Sequence, residues 1–349
     1  MTSRTFGKLP TGETVHAHTL SNASGSSVEI LSLGGIVRSL LVPDRGGRLD
    51  DVVLGFGSLG PYLSPHPYLG AIIGRIAGRV TGGVIAADGR TWPLPRNEGP
   101  NHLHGGVRGF DKRLWAAEAV ARKDGADSLR LTYSSPDGEE GYPGNLEVTA
   151  TYTLTADNRL VFETEARSDR PTPVSLTQHS YFNLSGEGSG DVLGHEVRIA
   201  AAEYVPADAA FTLSDRRERV IGTGADLNRP RRLSDALPGI FRAHGDPYLL
   251  RPVGTGTPSA PTFAARVHDP ATGRVLEVHT DETVLQFYSG VGLDGSLSGK
   301  SGRPYGPHAG LCLECEGYAN ASVAEGFGDI LVRPGSPQRR RTLYAFSSA

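Results

Sequence analysis

Hydrophobic and polar residues alternate along much of the chain with a period of two. The alternating runs are rich in Val, Thr, Tyr and Phe, a composition typical of half-buried β-strands. Turn sequences such as DRGG at 44–47 and PDG at 136–138 separate the runs. The pattern predicts strands at residues 27–33, 129–133, 146–154, 160–166, 195–201, 275–280, 284–288 and 342–346.

Helical periodicity is nearly absent from the chain. Residues 233–241 predict one short helix, and no alternation of strands with helices indicates a parallel α/β sheet. No repeat of fixed period occurs. The stretch 252–261 (PVGTGTPSAP) has the composition of a linker, but a long surface loop explains it equally well. We therefore predict an all-β protein, a large antiparallel β-sandwich in which residues 1–349 form a single domain.

Composition narrows the class of protein. The 46 glycines and 24 prolines are spread over all 349 residues, which agrees with many turns between short strands. A formal net charge of -3 gives no reason to expect nucleic acid or an anionic membrane as a partner. No apolar run reaches the length of a membrane span, and the N-terminal residues lack the features of a secretory signal. With only two cysteines, close together, no disulfide framework is expected, and we predict a soluble cytoplasmic protein.

The stretch 97–112 (NEGPNHLHGGVRGFDK) combines turn-forming residues with two histidines. It predicts an ordered loop that brings backbone and imidazole groups close to a ligand, although a surface turn is the simpler alternative. On an extended chain His102 and His104 would share a face, so the pair could begin a cupin-like metal site. Glycines follow instead of a nearby carboxylate, and the first acid is Asp111. The pattern therefore gives little support to a metal.

Two other segments carry side chains suited to proton transfer. Residues 177–184 (TQHSYFNL) surround His179 with hydrogen-bonding groups, although buried histidines satisfied by their neighbours are common. In residues 311–318 (LCLECEGY), Glu314 and Glu316 share one face of a predicted strand. Neighbouring carboxylates raise a pKa, which suits a general acid or base near neutral pH, whereas an exposed strand face is the ordinary alternative.

Two more segments place charges among turn formers. Arg75 and Arg79 are four residues apart in a glycine-rich stretch and could offer a guanidinium to a polar ligand, although the spacing alone favours a solvated strand end. Asp246 follows His244 and Gly245, and in isolation it is typical of a turn.

Together and in this order, these segments resemble the aldose 1-epimerases, the galactose mutarotase family. The similarity covers nearly the whole chain, and no single motif decides it. The ordered set is specific: GAIIGR at 70–75, LHGG at 103–106, SPDGEEGYPG at 135–144, HSYFNL at 179–184, VLQFYSG at 284–290 and CLE at 312–314.

The resemblance implies a single-domain β-sandwich with a sugar cleft on one sheet face. It implies a cofactor-free exchange of the α and β anomers of a free aldohexose. We also expect no metal, and a protein that is a monomer or a homodimer. By position, Glu314 resembles the family base that takes the proton of the anomeric hydroxyl, and His179 the acid that protonates the ring oxygen. Each transfer would contribute about 10²–10⁴-fold. The other expected substrate-binding residues are Arg79, His104, Tyr181 (which would orient His179), Asp246 and Gln286.

The chain departs from the family pattern at several positions that bear on the preferred sugar. Gly78 stands where the family usually has Asn, Pro247 where His is common, and Glu316 where Gln is usual, while Asn320 lies in a segment that usually reads Pro-Asp-Ala. We hypothesise that Glu316 raises the pKa of Glu314 and thereby moves the acid limb of the pH–rate profile upward.

Three alternatives stay open beside an active hexose mutarotase. A hexose-6-phosphate 1-epimerase on the same fold would need a cationic cluster for the phosphate, which the sequence does not reveal. A non-catalytic sugar-binding protein would need neither an acid nor a base at the anomeric carbon, so Glu314 and His179 disfavour it. A metal-dependent enzyme of the cupin type is the third alternative.

Overall fold

The computed structural model describes residues 1–122, 124–240, 244–251 and 260–349. Over these residues strands dominate, as the alternating pattern predicted. The α-helices α1 (Leu59–Leu63) and α2 (Leu233–Ala236) are each about one turn long. Short 3₁₀ helices cover Thr81–Gly83, Phe110–Lys112, Glu139–Gly141 and Leu237–Gly239. None of the helices in the described segments is long and apolar enough to cross a membrane.

The strands are mostly short. Those of the first half are β1 (Thr2–Lys8), β2 (Thr14–Ser21), β3 (Ser27–Leu31), β4 (Val37–Pro43), β5 (Leu49–Asp51), β6 (Ile72–Ile73), β7 (Arg79–Val80), β8 (Val84–Ala87), β9 (Arg90–Pro93), β10 (His102–Leu103), β11 (Ala116–Ala119), β12 (Asp127–Ser135), β13 (Leu146–Leu154) and β14 (Arg159–Ser168). Those of the second half are β15 (Thr172–Pro173), β16 (Thr177–Gln178), β17 (Glu196–Ile199), β18 (Glu203–Tyr204), β19 (Glu218–Arg219), β20 (Arg231–Arg232), β21 (Pro247–Leu249), β22 (Thr262–His268), β23 (Arg274–Thr280), β24 (Val284–Tyr288), β25 (Cys312–Glu316), β26 (Leu331–Val332) and β27 (Gln338–Ser348).

Three larger sheets carry the architecture, and all their neighbouring strands are antiparallel. Strands β1 to β5 form one sheet in sequence order, and a nine-stranded sheet has the order β11-β12-β13-β14-β27-β23-β22-β17-β20. The third sheet has the order β19-β18-β21-β24-β25. Isolated bridges from Val53 to Phe182 and from Phe182 to Leu311 connect the first sheet with the third. The predicted all-β, antiparallel class is confirmed.

The largest hydrophobic cluster draws on all three sheets. It includes Leu40 of β4, Tyr152 of β13, Leu276 of β23 and Leu313 of β25. Successive side chains of a strand point to opposite faces, so the residues on either side of Leu313 are turned away from this cluster. The site described below lies on that other face of β25.

The predicted strands at 146–154 and 284–288 coincide with β13 and β24, and the others overlap observed strands with different ends. The predicted helix at 233–241 forms as α2 followed by a 3₁₀ turn, while its last residue and most of the stretch 252–261 lie outside the described residues. The pattern missed β1, whose residues are largely exposed and therefore show no apolar alternation, and it also missed β2, β4 and β22. The extent of one domain over 1–349 stays a prediction.

Arg75 ties distant segments together beneath the surface. Its Nε donates to Ser135 Oγ at 2.9 Å, and its Nη2 donates to the carbonyls of Ser135 and Pro136 at 2.9 Å each. Its Nη1 donates to the carbonyl of Pro143 at 3.0 Å. The guanidinium is buried, and only arginine offers several donors in a fixed fork. The expectation of a solvated strand end is wrong for Arg75, which has a structural role.

Arg75→Lys should lower the free energy of unfolding by about 3 kcal/mol, because an ammonium cannot serve all of these buried acceptors. Urea denaturation followed by fluorescence measures the change. Arg108→Lys, at an exposed position, is the matched control and should change the free energy by less than about 0.5 kcal/mol. Equal denaturation midpoints for the two variants would contradict the structural role.

Candidate active site

A cavity of about 180 Å³ gathers most of the residues that the sequence singled out. Six of the seven expected catalytic and binding residues line it, and Asp246 is the exception. The six are Arg79, His104, His179, Tyr181, Gln286 and Glu314. Residues separated by more than two hundred positions thus meet at one place, as the resemblance implied.

Glu314 lies at the centre of β25, on the face opposite the hydrophobic cluster. Its side chain lines the cavity although the residue is only 2% exposed. Gln286 of β24 lies directly across the sheet from it. Burial raises the pKa of Glu314 well above its ordinary value, and the positive charge of Arg79 opposes this effect. The exposed strand face that is usual for glutamates does not occur here.

His179 is held by its backbone and by two aromatic rings. Its N–H donates to the carbonyl of Ala71, and its carbonyl accepts from the N–H of Gly70, both at 2.9 Å. The ring of Tyr181 stacks on the imidazole at a centroid distance of 5.2 Å, and that of Tyr68 at 5.9 Å. The imidazole therefore has a defined orientation toward the cavity.

The imidazole of His179 and the carboxyl of Glu314 form a close buried pair. His179 Nε2 lies 3.4 Å from Glu314 Oε2, while His179 Nδ1 lies 3.6 Å from the sulfur of Cys312. Burial lowers the pKa of His179 to about 3 and raises that of Glu314. At neutral pH the pair therefore holds one proton between them. This is the proton content that a cooperating acid and base require.

His104 reaches the cavity from a strained backbone position. Its φ of 51° lies in the left-handed region, and Nδ1 accepts a hydrogen bond from the N–H of Gly78 at 3.2 Å. In the neutral ring Nε2 must then carry the hydrogen, so it is a donor toward a ligand. One possible metal-ligand atom from each of His104, His179 and Glu314 lies within 4.8 Å of the other two. A metal would need a free lone pair on the imidazole of His104, and this tautomer offers none, because Nε2 carries the hydrogen and Nδ1 accepts from Gly78.

His102 points elsewhere, so the expectation that it shares a face with His104 is wrong. Its Nδ1 lies 2.7 Å from the carbonyl of Pro95, and its Nε2 lies 2.8 Å from the hydroxyl of Tyr142. The strand β10 ends at Leu103, and the left-handed conformation of the next residue breaks the extended chain. His102 is a buried histidine satisfied by its neighbours.

Arg79 is positioned by a residue that the sequence analysis did not single out. Its Nε and Nη2 donate to the two carboxylate oxygens of Glu98 at 2.6 Å each. Its guanidinium also lies 4.9 Å from the ring centroid of Phe211. Glu98 belongs to the same loop as His104, so a carboxylate in that glycine-rich stretch was the available signal. The bidentate pair fixes the arginine and neutralises much of its charge.

Asp246 is buried beside the cavity but does not line it. Its Oδ1 accepts from the N–H of Ala207 at 3.3 Å, and burial raises its pKa to about 6. Its neighbours His244 and Pro247 do line the cavity. This contact joins segments 39 residues apart, and Asp246 directly precedes β21, so the simple interpretation as a turn aspartate is wrong.

The remaining wall is largely aromatic and was missed by the sequence analysis. The Nδ1 of His244 donates to the carbonyl of Gly245 at 2.8 Å, and its ring lies between those of Phe211 and Tyr288, at 4.7 and 4.6 Å. Such contacts join separate loops, so no local pattern indicates them. Tyr68, Tyr288 and Tyr318 complete this wall.

Gln286 and Glu316 complete the polar lining. The amide nitrogen of Gln286 donates to the carbonyls of Gly245 and Phe287 at 3.3 and 2.6 Å. Glu316 is 3% exposed, and burial, followed by the charge of Glu314, raises its pKa well above the ordinary value. The repulsion between the two carboxylates therefore raises the pKa of Glu316 more than that of Glu314, because Glu314 ionises first and its negative charge then opposes ionisation of Glu316.

Comparison with known proteins supports the family resemblance that the sequence motifs indicated. The sequence model of the aldose 1-epimerase family matches residues 16–345. Galactose mutarotase of Rattus norvegicus is 42% identical over 351 residues, covering 100% of this chain and 99% of that protein. Aldose 1-epimerase of Escherichia coli (strain K12) is 35% identical over 353 residues, covering 99% of each. The crystal structure of an aldose epimerase homologue from C. elegans has a TM-score of 0.85 and 27% identity, covering 95% of this chain and 99% of that one.

His104 and His179 should be neutral at pH 5, because burial lowers both of their pKa values. In ¹⁵N-labelled protein, His104 should show a lone pair on Nδ1 and a proton on Nε2. The same histidines in urea-unfolded protein, which should titrate near pH 6.5, provide the control. A protonated imidazole at either position in the folded protein at pH 5 would contradict the burial argument.

Proposed function

The chain belongs to the aldose 1-epimerase family and interconverts the α and β anomers of aldoses, and we propose that Glu314 and His179 carry its two proton transfers. The observation that carries this proposal is the buried pair, with Nε2 and Oε2 3.4 Å apart in the cavity wall. A single proton on two groups allows one to accept while the other donates.

In the reactive form Glu314 is ionised and His179 is protonated. Glu314 takes the proton of the anomeric hydroxyl as the bond from C1 to the ring oxygen breaks, and His179 gives its proton to that oxygen. The C1–C2 bond of the open aldehyde rotates, and attack of the hydroxyl on the other face of C1 returns both protons. The pair holds one proton before and after the reaction, so no external acid or base is needed.

The other polar residues of the lining bind the sugar in this proposal. His104 donates through Nε2, and the fixed guanidinium of Arg79 donates to sugar oxygens and stabilises the negative charge of Glu314. Tyr181 orients His179 by stacking, and Gln286 offers the oxygen of its amide. A hydroxyl contact of Asp246 stays a prediction, because that residue does not line the cavity.

A neutral aldohexose such as galactose or glucose is the substrate that we propose. Among the described residues that line the cavity, Arg79 is the one arginine or lysine, and Glu98 already pairs with it. Two carboxyls, those of Glu314 and Glu316, line the same cavity. A phosphorylated sugar would therefore meet two buried carboxyls and no free cationic cluster, which disfavours the hexose-6-phosphate alternative.

We propose the cytoplasm as the compartment. Both cysteines, Cys312 and Cys315, are unpaired and buried, which suits a reducing environment. Whether the protein is a monomer or a homodimer stays a prediction.

Glu314→Gln should lower kcat for sugar interconversion by about 10²–10⁴-fold, because an amide cannot accept the anomeric proton. The optical rotation of freshly dissolved α-D-galactose and α-D-glucose follows the reaction. Glu147→Gln, an exposed glutamate on β13, is the matched control and should behave as wild type. An unimpaired Glu314→Gln protein would refute the assigned base, and no acceleration of any aldose by wild type would refute the enzyme.

The pH profile follows from the order of the two pKa values. Below about 3, the pKa of His179, the pair holds two protons and has no base, and above the raised pKa of Glu314 it holds none and has no acid. We therefore expect kcat/KM to be level between pH 5 and 7 and to fall on the alkaline side. Polarimetric rates corrected for buffer catalysis measure it, and a fall toward pH 5 would contradict this order.

The order in which Glu314 and Glu316 ionise changes the expected effect of Glu316 on the pH profile. Because Glu314 ionises first, Glu316 is neutral at that point and adds no negative charge beside it. Glu316→Gln should leave the alkaline limb within about 0.3 pH units of wild type, a shift small compared with those of directly paired carboxylates. A clear shift of the limb to lower pH would restore the view that Glu316 raises the pKa of Glu314.

A further inference from the structure

The carboxyl of Glu316 is buried in the cavity wall without a protein partner. No hydrogen bond or ion pair among the described residues involves it, and its Oε2 is fully inaccessible and unsatisfied. Its neighbour across the sheet is Val284, which is apolar and buried. Buried polar groups in folded proteins nearly always have a partner, and an unpaired one destabilises the fold. Glu316 therefore has no evident structural benefit.

The space that the carboxyl occupies depends on Gly78. A Cβ atom at position 78 would lie 2.8 Å from Glu316 Oε1 and 3.3 Å from Ala319 Cβ. The φ of Gly78 is +78°, which also disfavours any other residue. The glycine thus leaves room for the Glu316 carboxyl beside His104, whose Nδ1 the same glycine contacts. Both residues line the cavity.

The position of Glu316 complements that of the proposed base. Glu314 and Glu316 are two residues apart on one strand, so their side chains leave the same face of β25. Glu314 is committed to the anomeric hydroxyl, and a sugar seated there places its other hydroxyls along the cavity wall. A neutral carboxyl can both donate to and accept from such a hydroxyl.

We infer that Glu316 is a specificity-determining residue that binds a sugar hydroxyl other than the anomeric one. This inference rests on the proposed function, because it assigns the anomeric hydroxyl to Glu314. The unpaired carboxyl gains its hydrogen-bond partner when the sugar binds, so an aldose that lacks this hydroxyl leaves it unsatisfied and is discriminated against.

The test is a scan of deoxy sugars with variants at position 316. Wild type is assayed on galactose or glucose, whichever it turns over faster, and on the 2-, 3-, 4- and 6-deoxy derivatives of that hexose. We expect kcat/KM to be about tenfold lower than for the parent hexose with the one derivative that lacks the hydroxyl bound by Glu316. Glu316→Ala should abolish this one preference and leave the other three ratios unchanged. Glu316→Gln, whose amide also donates and accepts, should retain most of it. Glu147→Ala is the control and should retain all four ratios.

A second measurement separates sugar binding from a structural role. Glu316→Leu, which fills a similar volume without a polar group, should have a thermal midpoint equal to or above that of wild type when no sugar is present. A residue that stabilises the fold would give a lower midpoint instead. Sugar binding to the same variant, measured by calorimetry, should lose the preference seen in wild type.

Gly78→Ala tests the spatial link directly. The added Cβ should displace the Glu316 carboxyl, so the preference for the contacted hydroxyl should fall even though Glu316 is present. In the Gly78→Ala, Glu316→Ala double variant the first change should have no further effect on the deoxy-sugar ratios. Additive effects of the two changes would contradict the link.

The outcomes for this inference and for the proposed function are distinct. If wild type is active and all four deoxy ratios are the same in wild type and Glu316→Ala, Glu316 does not bind the sugar while the proposed function stands. If wild type accelerates no aldose, the proposed function fails, and calorimetric binding of the same sugars to wild type and Glu316→Ala still decides the role of Glu316.

Discussion

The burial of a carboxyl against an imidazole is the constraint on which the rest of the site depends. In water Glu314 and His179 would both be charged near pH 5, whereas burial disfavours the charged form of each. The two groups lie 3.4 Å apart and together hold one proton at neutral pH, so the ion pair and the neutral pair are alternative states of one unit. In the proposed reaction a bound sugar would use this unit in either direction of the ring opening.

The fold satisfies this constraint by separating the two faces of one strand. Leu313 and Cys315 pack into the hydrophobic cluster, and Glu314 and Glu316 are buried on the other side. Strand β25 is therefore covered on both faces, and apolar contacts on one side hold ionisable groups out of water on the other. The loops that close the cavity are fixed by partly buried hydrogen bonds, such as those of His104 with Gly78 and of Arg79 with Glu98.

Alternation predicted many strands with one buried and one half-exposed face, because burial then imposes a period of two on the sequence. Strand β13, with its alternating burial, is a clear case. Alternation missed β4 and β22, in which adjacent apolar residues interrupt it. The same signal is absent from β1, which lies at a sheet edge with little burial. It is also ambiguous for β25, which is buried on both faces, so the sequence alone left open whether its glutamates were exposed.

The sequence by itself determined the all-β class, the family resemblance and six residues that line the cavity, because strand period and ordered motifs are local properties of the chain. The resemblance already selected Arg79 and His104, but only the tertiary structure showed that Arg75 binds buried carbonyls and that His102 contacts Tyr142. It likewise showed that Glu316 has no protein partner among the described residues. These distinctions depend on which groups from distant segments meet and on how much water they exclude, and neither property is written in the neighbouring residues.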